Sequence, residues 1–307
     1  MFRSMRPIIR RVMPKAPLYA AWESYTRFKS RSARAAFQQA TTTPAWLGRD
    51  ELAMLQAQYP LRPTNYRYDA AGLEQTARQR NREMLQPIRH ETDRLHVFLD
   101  LGTWDGTQCD LLQKAGKQAH GIDTRVEGIS ESIKAGGARF AQMDVAHLGY
   151  ADNCFDFVFS YNSFEHFPDP ERALSEAYRV VRPDGYIYLN FGPLYYTPRG
   201  SHQYDTISIP YCECLFPDEL LAEYAEGNGL DLKPFEWMNR WRYSQYRALW
   251  DRFADRLKVV DYHEIFVPDH VELIERYPTC FRSKTADFDD LIVSNIEALF
   301  QKRHPGA

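Results

Sequence analysis

Three aspartates in this chain, Asp100, Asp123 and Asp144, each close a short apolar run. The first begins Asp100-Leu101-Gly102-Thr103-Trp104-Asp105-Gly106-Thr107, where glycines follow the acid in a tight turn. Glycine lets a backbone turn sharply and lets a ligand approach it closely. Gln108 to Lys114 then reads as a helix closed by Gly116, so the unit is strand, glycine loop and helix. Gly121-Ile122-Asp123 puts a carboxylate at the end of a second strand, where it can accept both hydroxyls of a ribose. Met143-Asp144-Val145 sets an acid where it suits an adenine amino group, with Met143 against the ring face. Phe155-Asp156-Phe157-Val158-Phe159-Ser160 then leads to Asn162 and to Glu165-His166-Phe167-Pro168-Asp169-Pro170. Each residue also has a plainer role: Asp123 as a helix cap, Asp144 as a turn residue, His166 as packing at a helix start. Their order along the chain favours one binding surface beyond the carboxyl ends of the strands.

The elements that must position these residues alternate. Strands are predicted at 95–100, 118–123, 138–143, 155–160 and 186–191, with helices at 107–115, 126–135 and 170–181. Such alternation implies a parallel sheet with helices on both faces. Arg182-Pro183-Asp184-Gly185 reads as the turn feeding the fifth strand. An irregular stretch rich in Tyr, Pro and Gly follows at 192–216, then a helix from Pro217 to Glu226 and a strand at 230–237. Residues 240–286 read as an insertion of helices and loops. Asp290 to Phe300 reads as a last strand, although its apolar run also fits a helix. Upstream, Glu51 to Gln58 and Gly72 to Gln86 read as helices punctuated by Pro60, Pro63 and Pro87. The expected organisation is a basic arm and helical extension at 1–94 and one α/β domain at 95–307.

Composition narrows the classes. The chain has 307 residues, 44% of them apolar, which is ample for a core. A net charge of −3 argues against a general nucleic-acid binder. No run approaches the roughly 18 apolar residues of a membrane span. Met1 to Leu18 is basic, is broken by Pro7, Pro14 and Pro17, and lacks the apolar core of a signal peptide. Five scattered cysteines suit reduced thiols in a cytoplasm. Cys212-Glu213-Cys214 with His202 would be a zinc site only if a second ligand pair existed; the preferred reading is a strand that alternates its faces, so no metal is expected. Residues 1–40 carry nine Lys/Arg against one acid, Glu23. Two readings compete: an arm making peripheral contact with anionic lipid or an acidic partner, and a solvated extension packed loosely on the domain. The second is preferred.

With these residues in place, the sequence resembles the class I S-adenosylmethionine-dependent methyltransferases. The resemblance is to the small-molecule branch with a Glu-His-x-x-Asp-Pro loop and an Arg-Val-Val/Leu-x-Pro-Gly-Gly turn, here Glu165–Pro170 and Arg179–Gly185, and it covers roughly 95–191. The family loop Asp-x-Gly-x-Gly-x-Gly carries Trp104 at its middle glycine in this chain, and Asp184 replaces the first glycine of the later turn. The resemblance implies a Rossmann-like doubly wound sheet and S-adenosyl-L-methionine as cofactor. It implies that Asp100 and Gly102 hold the methionine amino end, with Thr103 and Gly106 in the same cofactor loop. Asp123 and Thr124 would hold the ribose, Met143, Asp144 and Val145 the adenine, and Tyr161 and Asn162 would line the pocket near the sulfonium. A dinucleotide reductase also uses a glycine loop and an acid. A short-chain reductase needs a Tyr-x-x-x-Lys dyad beyond the fourth strand, and the match found, Tyr25–Lys29, lies upstream of the sheet.

A sulfonium methyl group is already activated, so the protein must mainly align a nucleophile in line with it and exclude water. A hydroxyl acceptor also needs a general base, for which His is the natural residue. The candidates are His202, in Arg199-Gly200-Ser201-His202-Gln203-Tyr204-Asp205, and His166. His202 follows the fifth strand, where the family builds its acceptor wall, and Asp205 is placed to orient it. Tyr195, Tyr196, Tyr204, Tyr211 and Phe216 crowd this stretch; they either stack on a sugar or ring or pack a long loop. The segment 200–216 also resembles, more loosely, methyltransferases found with bacterial surface-polysaccharide enzymes. That implies a small-molecule or glycan hydroxyl as acceptor. The alternatives are an N-acceptor or other transfer on the same fold, and a non-catalytic binding protein that retains the fold, which Trp104 favours.

Overall fold

The computed structural model describes residues 15–61, 67–203 and 205–304. The basic stretch 1–14 and Tyr204 of the aromatic segment lie outside the described residues. In chain order the helices are α1 (Lys15–Lys29), α2 (Arg31–Gln39), α3 (Arg49–Gln58), α4 (Ala70–Leu85), α5 (Thr107–Lys114), α6 (Glu131–Lys134), α7 (Pro170–Val180), α8 (Cys212–Leu215), α9 (Asp218–Gly227), α10 (Tyr243–Arg252), α11 (Glu272–Arg276), α12 (Pro278–Arg282) and α13 (Asp289–Ile292). The strands are β1 (Val97–Leu101), β2 (Gln118–Asp123), β3 (Arg139–Gln142), β4 (Phe155–Tyr161), β5 (Val181–Phe191), β6 (Leu257–Phe266) and β7 (Val293–Lys302).

The strands form one sheet in the order β3-β2-β1-β4-β5-β7-β6. The pairs β1–β2, β1–β4, β2–β3 and β4–β5 are parallel. The chain steps outward from β1 to β3 and then returns to the other side of β1 with β4. That reversal is the topological switch point of a doubly wound sheet, where ligands bind beyond the strand carboxyl ends. Parallel strands covered on both faces must be apolar almost throughout, and Phe98, Leu99, Phe157, Val158 and Phe159 are each at most 1% exposed. Phe98, Phe157, Phe159, Tyr186 and Tyr188 share one cluster with Met84 of α4 and with Cys109 and Leu112 of α5. α7 packs on β5 through buried Ala173, Leu174, Ala177 and Val180, one stripe at helical spacing. Asp169 accepts from the Arg172 N–H and Pro170 occupies the first turn, which starts α7.

Several segments differ from the sequence expectation. Arg182 to Gly185, expected as a turn, lies within β5, and the run expected as a strand from Asp290 begins as the helix α13 before β7. The helix predicted over 126–135 shrinks to α6, because Gly128 precedes it and the Ser130 side chain caps it from the Ile133 N–H. Residues 230–237 form no strand; Lys233 N–H and carbonyl both bond the Gln203 side chain, and a short turn spans Phe235–Trp237. The supposed insertion at 240–286 supplies α10 and the strand β6. Cys212-Glu213-Cys214 is the buried helix α8, not an alternating strand, since Cys214 and Leu215 N–H both return to the Tyr211 carbonyl. No described helix is long and apolar enough to cross a membrane.

Two compact units interleave along the chain. The sheet unit comprises 64–192, 245–262 and 297–307, so α4 belongs with the sheet. The other unit comprises 1–63, 193–244 and 263–296. Within it α1 and α2 are anchored rather than loosely solvated. Trp22 Nε1 donates to the Phe266 carbonyl at 2.6 Å, Arg27 and Arg34 both pair with Asp289, and buried Phe37 meets Phe288 edge-on at 5.5 Å.

The loop after β3 is held by one guanidinium. Arg179 of α7 donates to Glu176, to Asp152 and to the carbonyls of Leu148 and Tyr150, each at 2.8 Å. A lysine carries the charge but not the fork. Arg179→Lys should therefore lower stability by about 1–3 kcal/mol, read as a drop in Tm, while Arg252→Lys on the exposed Glu171 pair should move Tm little.

Candidate functional site

β1 ends in Asp100, which is 3% exposed. Burial pushes its carboxyl up to about 7, against the opposing pull of the Thr103 hydroxyl and the Arg80 charge. Gly102 follows with φ +81°, and a Cβ there would stand 2.6 Å from the Ser163 side chain. Only glycine meets both demands. The N–H groups of Gly102 and Thr103 both donate to the Ile122 carbonyl at 2.9 Å, clamping the loop onto the end of β2. Thr103 is buried, and Gly121 lacks a side chain where a Cβ would lie 2.6 Å from the Thr103 Oγ1. Gly106, at φ +75°, is the N-cap of α5, and Asp105 accepts from the Thr107 N–H.

Trp104 adopts φ +48° and is 53% exposed. A non-glycine residue in this region carries roughly 1–2 kcal/mol of strain. Its backbone N–H donates to Asp123 Oδ2 at 3.0 Å. Asp123 Oδ1 stands 3.4 Å from the Thr124 hydroxyl and 3.3 Å from the Arg125 N–H. The glycine loop thus fixes one oxygen of the carboxylate that ends β2. Met143 N–H donates to the Asp123 carbonyl at 2.9 Å, and the Met143 sulfur accepts from Gly149. Asp144 is exposed; the Ala146 N–H, and then His147 beside it, hold its carboxyl below the usual range. Val145 is buried. The three acids therefore share the carboxyl edge of adjacent strands.

Beyond β4, Tyr161 is buried and donates to Glu83 at 3.1 Å, beside the Tyr188 hydroxyl at 3.3 Å. Asn190 Nδ2 reaches both phenols. Asn162 is exposed, at φ +52°, and its N–H donates to the Asn190 carbonyl. The turn Phe164–His166 follows, with half-buried His166 returning its N–H to Ser163. Its floor is aromatic: Phe164 lies 5.0 Å from Phe191, which lies 4.9 Å from Tyr246 of α10.

Two further residues, Glu165 and Arg80, stand out at this edge. Glu165 is 1% exposed; burial pushes its carboxyl up to about 8, although Oε1 accepts from the Gly192 N–H. Its Oε2 is buried with no hydrogen-bond partner among the described residues. Arg80 of α4 lies over the Tyr161 ring at 4.9 Å, and its charge is felt by both Asp100 and Glu165. Two buried carboxyls at the switch point thus feel the charge of one guanidinium. Glu165 opens the Glu165–Pro170 loop that is visible in the sequence. Nothing distinguishes Arg80 from Arg78 or Arg82 in the sequence of α4.

His166 lies in the sheet unit, whereas His202, Asp205 and the aromatic segment belong to the other unit. His202, at φ +57°, places Nε2 3.2 Å from the Pro193 carbonyl. A carbonyl only accepts, so that contact sets the hydrogen on Nε2 and the neutral ring's lone pair on Nδ1. Asp205 pairs with Lys233 at 2.9 Å, and Lys233 also donates to the His202 carbonyl at 2.8 Å. The carboxylate is thereby linked to the backbone of His202 through the ammonium. Of the aromatic segment, Tyr211 and Phe216 are fully buried and pack the loop, with Tyr211 donating to the Leu291 carbonyl. Tyr195 and Tyr196 instead stack under Arg240 and Arg242, each at 5.1 Å.

Residues 99–189 match the family described as a methyltransferase domain. An uncharacterized methyltransferase of Mycobacterium sp. (strain JLS) is 32% identical over 123 residues, 39% of this chain and 48% of that protein. Phosphoethanolamine N-methyltransferase 2 of Caenorhabditis elegans is 26% identical over 100 residues, 30% of this chain and 23% of its own. A ubiquinone biosynthesis O-methyltransferase of Methylococcus capsulatus is 26% identical over 180 residues, 50% of this chain and 73% of its own. The chain spans less than half the length of the first two. The match begins at Leu99 in β1 and closes at Leu189 in β5, so it contains the glycine loop, all three strand-end acids and the Glu165 turn. Residues 99–189 therefore match a methyltransferase domain, a family whose methyl-donor cofactor is S-adenosylmethionine.

Proposed function

We propose that this chain is a methyltransferase that moves a methyl group from S-adenosylmethionine to a hydroxyl of a small molecule or glycan. The observation that carries the proposal is the convergence at the β1/β4 switch point of the Gly102 cradle, the Asp123 carboxylate and the Asp100–Glu165–Arg80 set. These residues fit the cofactor. Glycine at 102 admits a ligand against bare backbone, Asp123 Oδ1 suits a ribose hydroxyl, and the buried carboxyls suit an ammonium. Arg80 offers a planar fork to the adjoining carboxylate. Met143, Asp144 and Val145 flank the adenine side.

The cofactor supplies a methyl group already bonded to a positive sulfur. The chain's own task is to bind it, exclude water and hold the acceptor in line. His202 is the first candidate for the base, and Lys233, paired with Asp205, holds its backbone carbonyl. His166 is the second candidate, on the loop after β4. Tyr195 and Tyr196, each already paired with a guanidinium, support a ring or sugar acceptor of anionic character. An N-acceptor is the second reading, favoured by the likeness to a phosphoethanolamine N-methyltransferase; mass spectrometry of a labelled product distinguishes a methyl ether from a methylamine.

Asp123→Ala should weaken S-adenosylhomocysteine binding by about 1–3 kcal/mol in calorimetric titration; unchanged affinity would remove the ribose assignment. His202→Ala should cut turnover by about 100-fold or more with cofactor affinity intact, whereas normal turnover would remove His202 as the base. The third expectation concerns pH. Asp100 binds an ammonium as carboxylate but holds its proton up to about 7 when the site is empty. Binding therefore releases a proton, and affinity should rise with pH through about 7, by at most about tenfold per unit below it. Asp100→Asn should flatten that dependence.

A further inference from the structure

Trp104 stands where the glycine-loop pattern expects a glycine, and it does so in a backbone conformation that glycine would adopt without strain. Its indole is neither core nor buried, at 53% exposure. The indole therefore gains the fold little by burial. Its backbone N–H holds Asp123 Oδ2 at 3.0 Å, which puts the residue beside the carboxylate assigned to the ribose. A second exposed aromatic meets it: Tyr68, 62% exposed on the segment leading into α4, packs edge-to-face at 6.2 Å and 83°. Two large exposed aromatic rings, one borne by the residue whose N–H holds Asp123, form a surface suited to a flat, apolar face with a polar rim. Edge-to-face contact orients the indole plane and lowers the cost of ordering it further.

We infer that Trp104, steadied by Tyr68, is a cofactor-retaining wall of this chain that closes against the nucleoside half of S-adenosylmethionine in place of the usual open glycine. The inference rests on the cofactor reading above. Aromatic contact with a nucleobase or its sugar is worth about a tenfold or greater change in affinity. In the ligand-bound protein the indole then loses solvent, and its emission reports the event.

The test is titration with S-adenosylhomocysteine of the full chain and of Trp104→Gly, Trp104→Phe, Tyr68→Ala and Asp123→Ala, by calorimetry and by tryptophan fluorescence. Glycine accepts the local φ without strain, so Trp104→Gly keeps the loop. The expected result is about tenfold weaker binding in Trp104→Gly, a smaller loss in Tyr68→Ala, and affinity close to the parent in Trp104→Phe. The ligand-induced emission change of the parent should vanish in Trp104→Phe while its calorimetric binding persists. Equal or tighter binding by Trp104→Gly overturns the inference and leaves the cofactor reading standing, most plainly if the glycine variant alone binds. An emission change preserved in Trp104→Phe also overturns it. No binding by any form overturns both readings together.

Discussion

The chain order reverses between β1 and β4, and the site depends on that reversal. Loops leaving neighbouring strands on opposite sides cannot cover the sheet edge between them. The gap at that edge is where Asp100 ends β1, where Gly102 turns the chain and where the Glu165 loop returns from β4. Parallel pairing of Asp100 with Gly121 and with Phe159 sets all three loops at one level. A slip of one residue would turn Asp100 out of its buried position and send Leu99 or Leu101 into it.

The electrostatics of the gap follow from burial. Two carboxyls at the end of an apolar sheet hold their protons well above the ordinary range, because little water reaches them. The charge of Arg80, which lies over the Tyr161 ring, acts on both, and it is carried by a helix that precedes the sheet in sequence yet packs with it. Asp123 and Asp144 are different. They are better solvated and are held by backbone N–H groups, Trp104 for one and Ala146 for the other. The same residue type thus occupies a protonated, ligand-hungry setting at the first strand and pre-oriented acceptor settings at the next two.

Support for this edge comes from far along the chain. Phe164 under the Glu165 loop rests on Phe191 and on Tyr246 of α10, and Tyr188 passes its hydroxyl hydrogen to Glu297 in β7. The segments after residue 240 therefore help to fix the loop after β4. The N-terminal helices serve the other unit, where Phe37 and the Arg27 and Arg34 pairs with Asp289 hold them.

Much was legible from sequence because the signals were local. Alternating apolar runs, Gly102 and Gly106, the Pro170 helix start and the three strand-end acids all depend on residues within a few positions, and the strands of 97–191 and the helices α5 and α7 lie close to where those patterns put them, whereas α6 is much shorter and β5 starts earlier. What tertiary structure alone decided were the long-range choices. Residues 257–266 became an edge strand because β7 offered a partner, not because their own pattern was decisive. Cys212–Leu215 turned into helix at the Tyr211 carbonyl. Arg80 entered the site only because α4 packs across the sheet, and among three similar arginines on one helix no local signal names the one whose charge acts on both buried carboxyls. Chain connectivity carries local propensity; the charge partners of a buried acid are set by packing between segments distant in sequence, and that information exists only once the sheet has formed.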